Sequence, residues 1–210
     1  MAYPTVSAPY GLKPVNLIGG LPFAGATRQM PIASNYGTAI FNGDVVQYTT
    51  DGTIIITALQ ANTSALAGVV GVFLGCSYTD PVLGYQLFSQ SYPGSIVASD
   101  IVAYVCDDPN ALYKVASVTN ATANNVTGGL LPVVKSRAVS VSCNAELVLN
   151  TGTVATGQGR MGVFINNVTT SLPIAVVDVV PETANSDGNY FEFIVKINAG
   201  YHRYNNAVGV

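Results

Sequence analysis

The stretch Thr38-Ala39-Ile40-Phe41-Asn42-Gly43-Asp44-Val45-Val46-Gln47-Tyr48-Thr49-Thr50-Asp51-Gly52-Thr53-Ile54-Ile55-Ile56-Thr57 decides the fold class. Short runs of β-branched and aromatic residues are punctuated by Asn42-Gly43 and Asp51-Gly52. Both dipeptides supply the positive φ that tight turns need. The reading is a hairpin, with Thr38 to Phe41 turning at Asn42-Gly43-Asp44 into Val45 to Thr49. A second turn at Asp51-Gly52 leads into Thr53 to Thr57. Three isoleucines in succession, Ile54 to Ile56, suit a strand buried on both faces.

The same grammar continues outward. Gln29 to Ala33 reads as a strand, as do Val69 to Tyr78, Tyr85 to Gln90 and Ile101 to Cys106. Gly71 and Gly75 inside the long strand mark bends or bulges. Asp107-Asp108-Pro109-Asn110 is a turn into Leu112 to Val118. Further strands are expected at Leu130 to Val141, Glu146 to Asn150, Arg160 to Asn166, Ile174 to Val180 and Tyr190 to Ile197. Asp187-Gly188 is the turn between the last two. Thr63 to Ala67 could form one helical turn, but no segment sustains a 3.6-residue apolar period. The expected fold is all-β, a sandwich or barrel of short antiparallel strands. Residues 28 to 210 form the β domain, with a loop insertion around 119 to 159.

Residues 1 to 27 differ in kind. They are rich in Pro and Gly, and Lys13 is the only charged side chain. A solvated linker would be polar, whereas this segment carries Tyr3, Pro9, Tyr10, Leu12, Pro14, Leu17, Ile18 and Phe23. It reads as an extended N-terminal arm that lies on its own domain or on a neighbour. Proline pre-sets the extended backbone and reduces the entropy lost on docking. These eight residues are the candidate interface.

Composition narrows the function. In 210 residues there are 8 basic and 11 acidic side chains, a net charge of -3, and 49% of residues are apolar. The longest apolar run, Ala65 to Cys76, has 12 residues, too short for a spanning helix of roughly 20. No membrane partner is expected. The basic residues are scattered, so no nucleic-acid footprint is expected either. The opening residues lack a basic n-region, and Pro4, Pro9 and Pro14 interrupt any apolar core, so no secretory signal is expected. Cys76, Cys106 and Cys143 read as small buried apolar residues in a reducing compartment. A chain with so few charges has little repulsion to keep copies apart. It is therefore expected to work inside an assembly or to be secreted.

Nothing asks for an enzyme. His202 is the one histidine, short of the convergent partners that a triad or metal site needs. Asp107 and Asp108 precede Pro109, where Asp is a turn former. Asp178 lies inside an apolar run. That placement fits an edge-strand charge or a buried charge with a partner. Gly128-Gly129 and Gly157-Gln158-Gly159 match no phosphate-binding loop, and neither Ser95 nor Ser99 sits in a nucleophile elbow. No catalytic, cofactor or metal residue is assigned.

Four segments carry a resemblance. They are Ser7-Ala8-Pro9-Tyr10-Gly11-Leu12-Lys13-Pro14-Val15, Pro31 to Val46, Gly71-Val72-Phe73-Leu74-Gly75-Cys76-Ser77-Tyr78, and Phe193-Ile194-Val195-Lys196-Ile197-Asn198 followed by His202. They resemble, in order, the "APFGLRPV" opening, the first hairpin, the "GVFxGxxY" strand and the "VKIN...H" closing strand of tailed-bacteriophage head decoration (capsid cement) proteins. The resemblance implies a β-rich virion protein assembled in the host cytoplasm. It would bind the phage major capsid protein on the outside of the head and associate with itself, as a homotrimer. The alternatives are another structural virion subunit (major capsid or tail-tube protein) or a secreted glycan-binding β domain.

Overall fold

The computed structural model describes residues 6–57, 68–119, 140–165, 172–183 and 190–205. Tyr3, the possible turn at 63–67, nearly all of 119–129, most of the expected strand at 130–141, and Asp187-Gly188 lie outside them. Two antiparallel six-stranded sheets pack together as a β-sandwich.

The first sheet has the order β1-β8-β12-β11-β9-β10. Its strands are β1 (Lys13–Leu17), β8 (Ala111–Ala116), β9 (Asn144–Val148), β10 (Gly162–Phe164), β11 (Ile174–Val179) and β12 (Glu192–Ile197). Alternation along β12 sends Phe193, Val195 and Ile197 inward and leaves Ile194 and Lys196 outward. The sheet curls far enough for Val118 N–H to donate to the Val163 carbonyl at 2.9 Å, joining β10 to the end of β8.

The second sheet has the order β2-β7-β5-β3-β4, with β6 also on β5. Its strands are β2 (Arg28–Pro31), β3 (Val45–Tyr48), β4 (Ile54–Ile56), β5 (Val69–Thr79), β6 (Gln86–Ser89) and β7 (Val102–Cys106). The first half of β5 pairs with β3, and the second half with β6. The central strands of this sheet are buried on both faces. Val45, Val69, Val72 and Cys106 face the first sheet in the main core. Val46, Val70, Phe73 and Val105 face a second core, which the segments around Ile40 and Tyr92 cover. The Tyr36 and Tyr92 rings stack there at 6.1 Å, and Tyr92 Oη donates to the Tyr36 carbonyl at 2.8 Å.

Two glycines of β5 behave as their positions suggest. A Cβ on Gly71 would lie 2.0 Å from the Cys106 carbonyl oxygen, so β5 and β7 approach this closely only without one. Gly75 has φ +159° and sits at a register shift between β5 and β7.

Several expectations are corrected. Asn42-Gly43 does not close a hairpin. Phe41 accepts from Asp44 N–H at 3.0 Å with Gly43 at φ +94°, a single turn that passes the chain from Tyr92 to β5. Tertiary partners claim both flanks, so the flanks never pair with each other. The hairpin of this region is at Asp51-Gly52, where Thr49 N–H donates to the Thr53 carbonyl at 2.8 Å. Its second strand, β4, is an edge strand with only Ile54 fully buried. Asp178 is neither on an edge strand nor deeply buried. A bulge at Val177 turns it half outward, and its Oδ1 accepts from Val179 N–H at 2.7 Å.

Candidate functional site

Residues 1 to 27 were the expected arm, with the candidate interface between Tyr3 and Phe23, and the structure divides the described part of it. The first part is a strap across the outer face of the first sheet. The Val6 carbonyl accepts from Tyr190 N–H at 3.0 Å. Val6 and Tyr10 pack on a small cluster of Ala116, Val118, Val148 and Tyr190. Tyr10 Oη donates to Glu192 Oε1. Glu192 is 3% exposed, and Lys114 Nζ reaches it at 3.3 Å. Burial and the neighbouring carboxylate push the Tyr10 hydroxyl far above its usual pKa, so it stays a donor.

Next, Gly11 passes over Gly43. A Cβ on Gly11 would meet the Gly43 carbonyl oxygen at 2.7 Å, and Gly11 has φ +78°. Leu12 N–H donates to that same carbonyl at 2.8 Å, and its side chain is fully buried in the main core. β1 then pairs with β8 through Lys13–Lys114 and Leu17–Ala111.

Of the eight candidate residues, Pro9 and Leu12 are buried. Tyr10, Pro14, Leu17 and Phe23 are half-buried, and Ile18 is exposed. Tyr3 lies outside the described residues. The strap therefore lies on its own domain, and the large apolar side chains it shows to solvent, Val15, Ile18 and Leu21, are on β1 and the turn after it.

Beside that turn runs an open groove of about 520 Å³ on the outer face of the first sheet. Val15, Pro22, Leu112, Val177 and Ile194 line it, together with Asp178. Leu112 and Ile194 are the outward members of their strands, so the groove follows from register.

A second exposed apolar feature had not been assigned from sequence. The β5–β6 hairpin carries Val82, Leu83, Tyr85 and Phe88, exposed at 89, 58, 53 and 71%. Its tip is rigidly tied. Asp80 Oδ1 accepts from Val82 N–H at 2.7 Å and Leu83 N–H at 2.8 Å, and Gly84 N–H donates to the Asp80 carbonyl at 2.8 Å. Asp100 braces its base, taking Thr79 Oγ1 at 2.6 Å, which holds that carboxyl below its usual pKa. The available sequence signal was Asp80-Pro81-Val82-Leu83-Gly84, an apolar pair inside a turn where polar residues are the rule.

The remaining candidates have structural roles. His202 is fully buried against Tyr204 at 5.2 Å, with burial lowering its pKa. Asp107 pairs with Arg28 at 2.6 Å and accepts from Tyr204 Oη at 2.7 Å, whereas Asp108 caps Asn110 N–H. The two adjacent acids thus serve different partners. Among the described residues, no group of three or more His, Cys, Asp or Glu side chains could hold a metal. No helix among them is long and apolar enough to cross a membrane.

One buried acid stands out beneath the Gly11 seat. Asp44 is fully buried, and its Oδ2 accepts from Phe41 N–H at 2.8 Å. Oδ1 has no partner, and desolvation pushes the carboxyl up to about 7. It borders a cavity of about 200 Å³ lined also by Thr38, Phe41, Thr57, Asn150 and Met161.

No protein-family model matches the chain, and no curated protein or solved structure matches it.

Proposed function

We propose that this chain is a structural virion protein of the capsid decoration kind, which binds the major capsid protein on the outer surface of a phage head and bridges capsomers. The observation that carries this reading is the β5–β6 hairpin. Four large apolar side chains stand exposed within seven residues of a tied, well-paired hairpin. Contiguous apolar surface of that kind marks a contact site. The sequence resemblance supplies the identity of the contact, and the low charge suits a surface buried among neighbours. A protein that binds only assembled shell stabilises that shell by mass action. Self-association, as a homotrimer made in the host cytoplasm, would multiply weak contacts into a strong attachment.

Imaging virions produced with and without the coding sequence tests the reading. The expected result is density on the outer face of the head that vanishes on deletion, with the shell lattice intact. Loss of the shell or of the tail would overturn it in favour of another virion subunit. Unchanged particles would overturn a virion role altogether.

A further inference from the structure

Two exposed apolar features lie on different sheets, and their charged surroundings differ: acidic at the hairpin, mixed with lysines at the groove. Asp80 and Asp100 flank the hairpin, one at the tip and one at the base. The groove is different. Lys13 pairs with Lys114 across β1 and β8, and Lys114 pairs with Ile194 across β8 and β12. Paired residues of antiparallel strands share a face. Lys196, two residues after Ile194, is on that face as well. Lys114 and Lys196 are therefore neighbours of Ile194 on the face that bears the groove, with Lys13 beside Lys114; Lys13 and Lys114 also lie over the Tyr10 ring at 4.6 and 5.9 Å. Asp178 also lines the groove, with Oδ1 turned to its own backbone, and Glu192 lies buried beneath the strap, engaged by Tyr10 and Lys114.

We propose that the β5–β6 hairpin of one copy docks into the β1–β8–β12–β11 groove of a second copy. The hairpin supplies Leu83 and Phe88 as apolar anchors. The groove supplies Val15, Leu112 and Ile194 as the receiving wall, with Lys196 beside Ile194 to meet the hairpin's acidic flank. A volume of about 520 Å³ falls within the roughly 300–1,000 Å³ of clefts that bind ligands. Each copy uses two different surfaces, so the contact is head to tail. Such a contact propagates until it closes as a ring, or continues as a filament. This deepens the proposed function and rests on it for one point, that the exposed apolar side chains serve assembly.

Sedimentation velocity of the full chain, without phage particles, tests the contact. Wild type is expected to grow beyond a dimer as concentration rises. A hairpin variant, Leu83→Asp with Phe88→Ser, and a groove variant, Val15→Asp with Lys196→Glu, should each weaken association at least about tenfold, equivalent to about 1.4 kcal/mol. All four positions are exposed or half-exposed, so unchanged melting temperatures are expected. Mixed together, the two variants should form a one-to-one pair and stop there, because each retains the half that the other lacks. A monomeric wild type, a variant that assembles like wild type, or a mixture that forms no pair overturns the proposal. Head attachment is scored separately. Monomers that still coat heads would sink this contact alone, and oligomers that ignore heads would sink the virion reading alone.

Discussion

The N-terminal strap and the β5–β6 hairpin are both apolar segments bounded by Pro and Gly, yet they end in opposite environments. Leu12 of the strap is fully buried, whereas Phe88 of the hairpin is 71% exposed. The difference lies in what each segment can reach. The strap finds Gly43 bare enough for backbone contact, an open edge of β8, and a Glu192 carboxylate for Tyr10. Among the described residues, β6 of the hairpin pairs with β5 alone. An apolar segment therefore signals a partner surface without saying whether that surface belongs to the same chain.

The comparison breaks most visibly at Leu12. Leu12→Ala removes a fully buried side chain and should cost about 3 kcal/mol. Phe88→Ser should stay within about 0.5 kcal/mol of wild type. Chemical denaturation of both variants checks this. Equal losses would mean that the hairpin, like the strap, is part of the fold.

Asp44, next to the strap's seat at Gly43, gives an effect that grows with pH. Its carboxyl titrates at about 7 when folded, against 3.8 for the unpaired group. Between those values the folded chain holds a proton that the unfolded chain releases. Stability should therefore fall as pH rises from about 4 to 7, by at most about 1.4 kcal/mol per pH unit, and level off above. Asp44→Asn should flatten that slope. Denaturation midpoints measured at several pH values would decide, and parallel curves for the two proteins would refute the assignment.

The smallest effect sharpens the picture of the strap itself. Tyr10→Phe leaves Glu192 with Lys114 but removes the phenol donor, and should cost about 1 kcal/mol. Limited proteolysis should then cut between Val6 and Leu12 sooner than in wild type. An unchanged cleavage rate would show that the Val6 and Leu12 backbone contacts hold the strap without the tyrosine.

Strand positions were largely legible because β-branched runs and turn dipeptides are local signals. The Asp51-Gly52 hairpin and the Gly75 bulge follow from backbone preferences that a few residues set by themselves. The failures share one cause. Asn42-Gly43 had the residues of a hairpin turn, but Tyr92 and β5 take its flanks. Ile54 to Ile56 looked like an interior strand, yet β4 lies at an edge because no strand pairs beyond it in the sheet order. Lys13 to Leu17 was read as part of the extended arm, and it pairs as a strand, β1. An edge position that shifts register after Pro14 accommodates the proline.

The proposed contact surface draws only partly on the residues that the sequence singled out. Sequence pointed to residues 1 to 27, and of the described part β1 and the turn after it border a groove. The groove itself brings together residues from β1, β8, β11 and β12, separated by more than a hundred positions, and no local pattern encodes that meeting.

Sequence alone determined that the chain is all-β, sparsely charged and punctuated into short strands, because those properties reside in side-chain branching, φ preference and composition. Tertiary structure decided which apolar residues are core and which are skin. Burial is a property of pairs of surfaces, and the second surface of each pair comes from elsewhere in the chain.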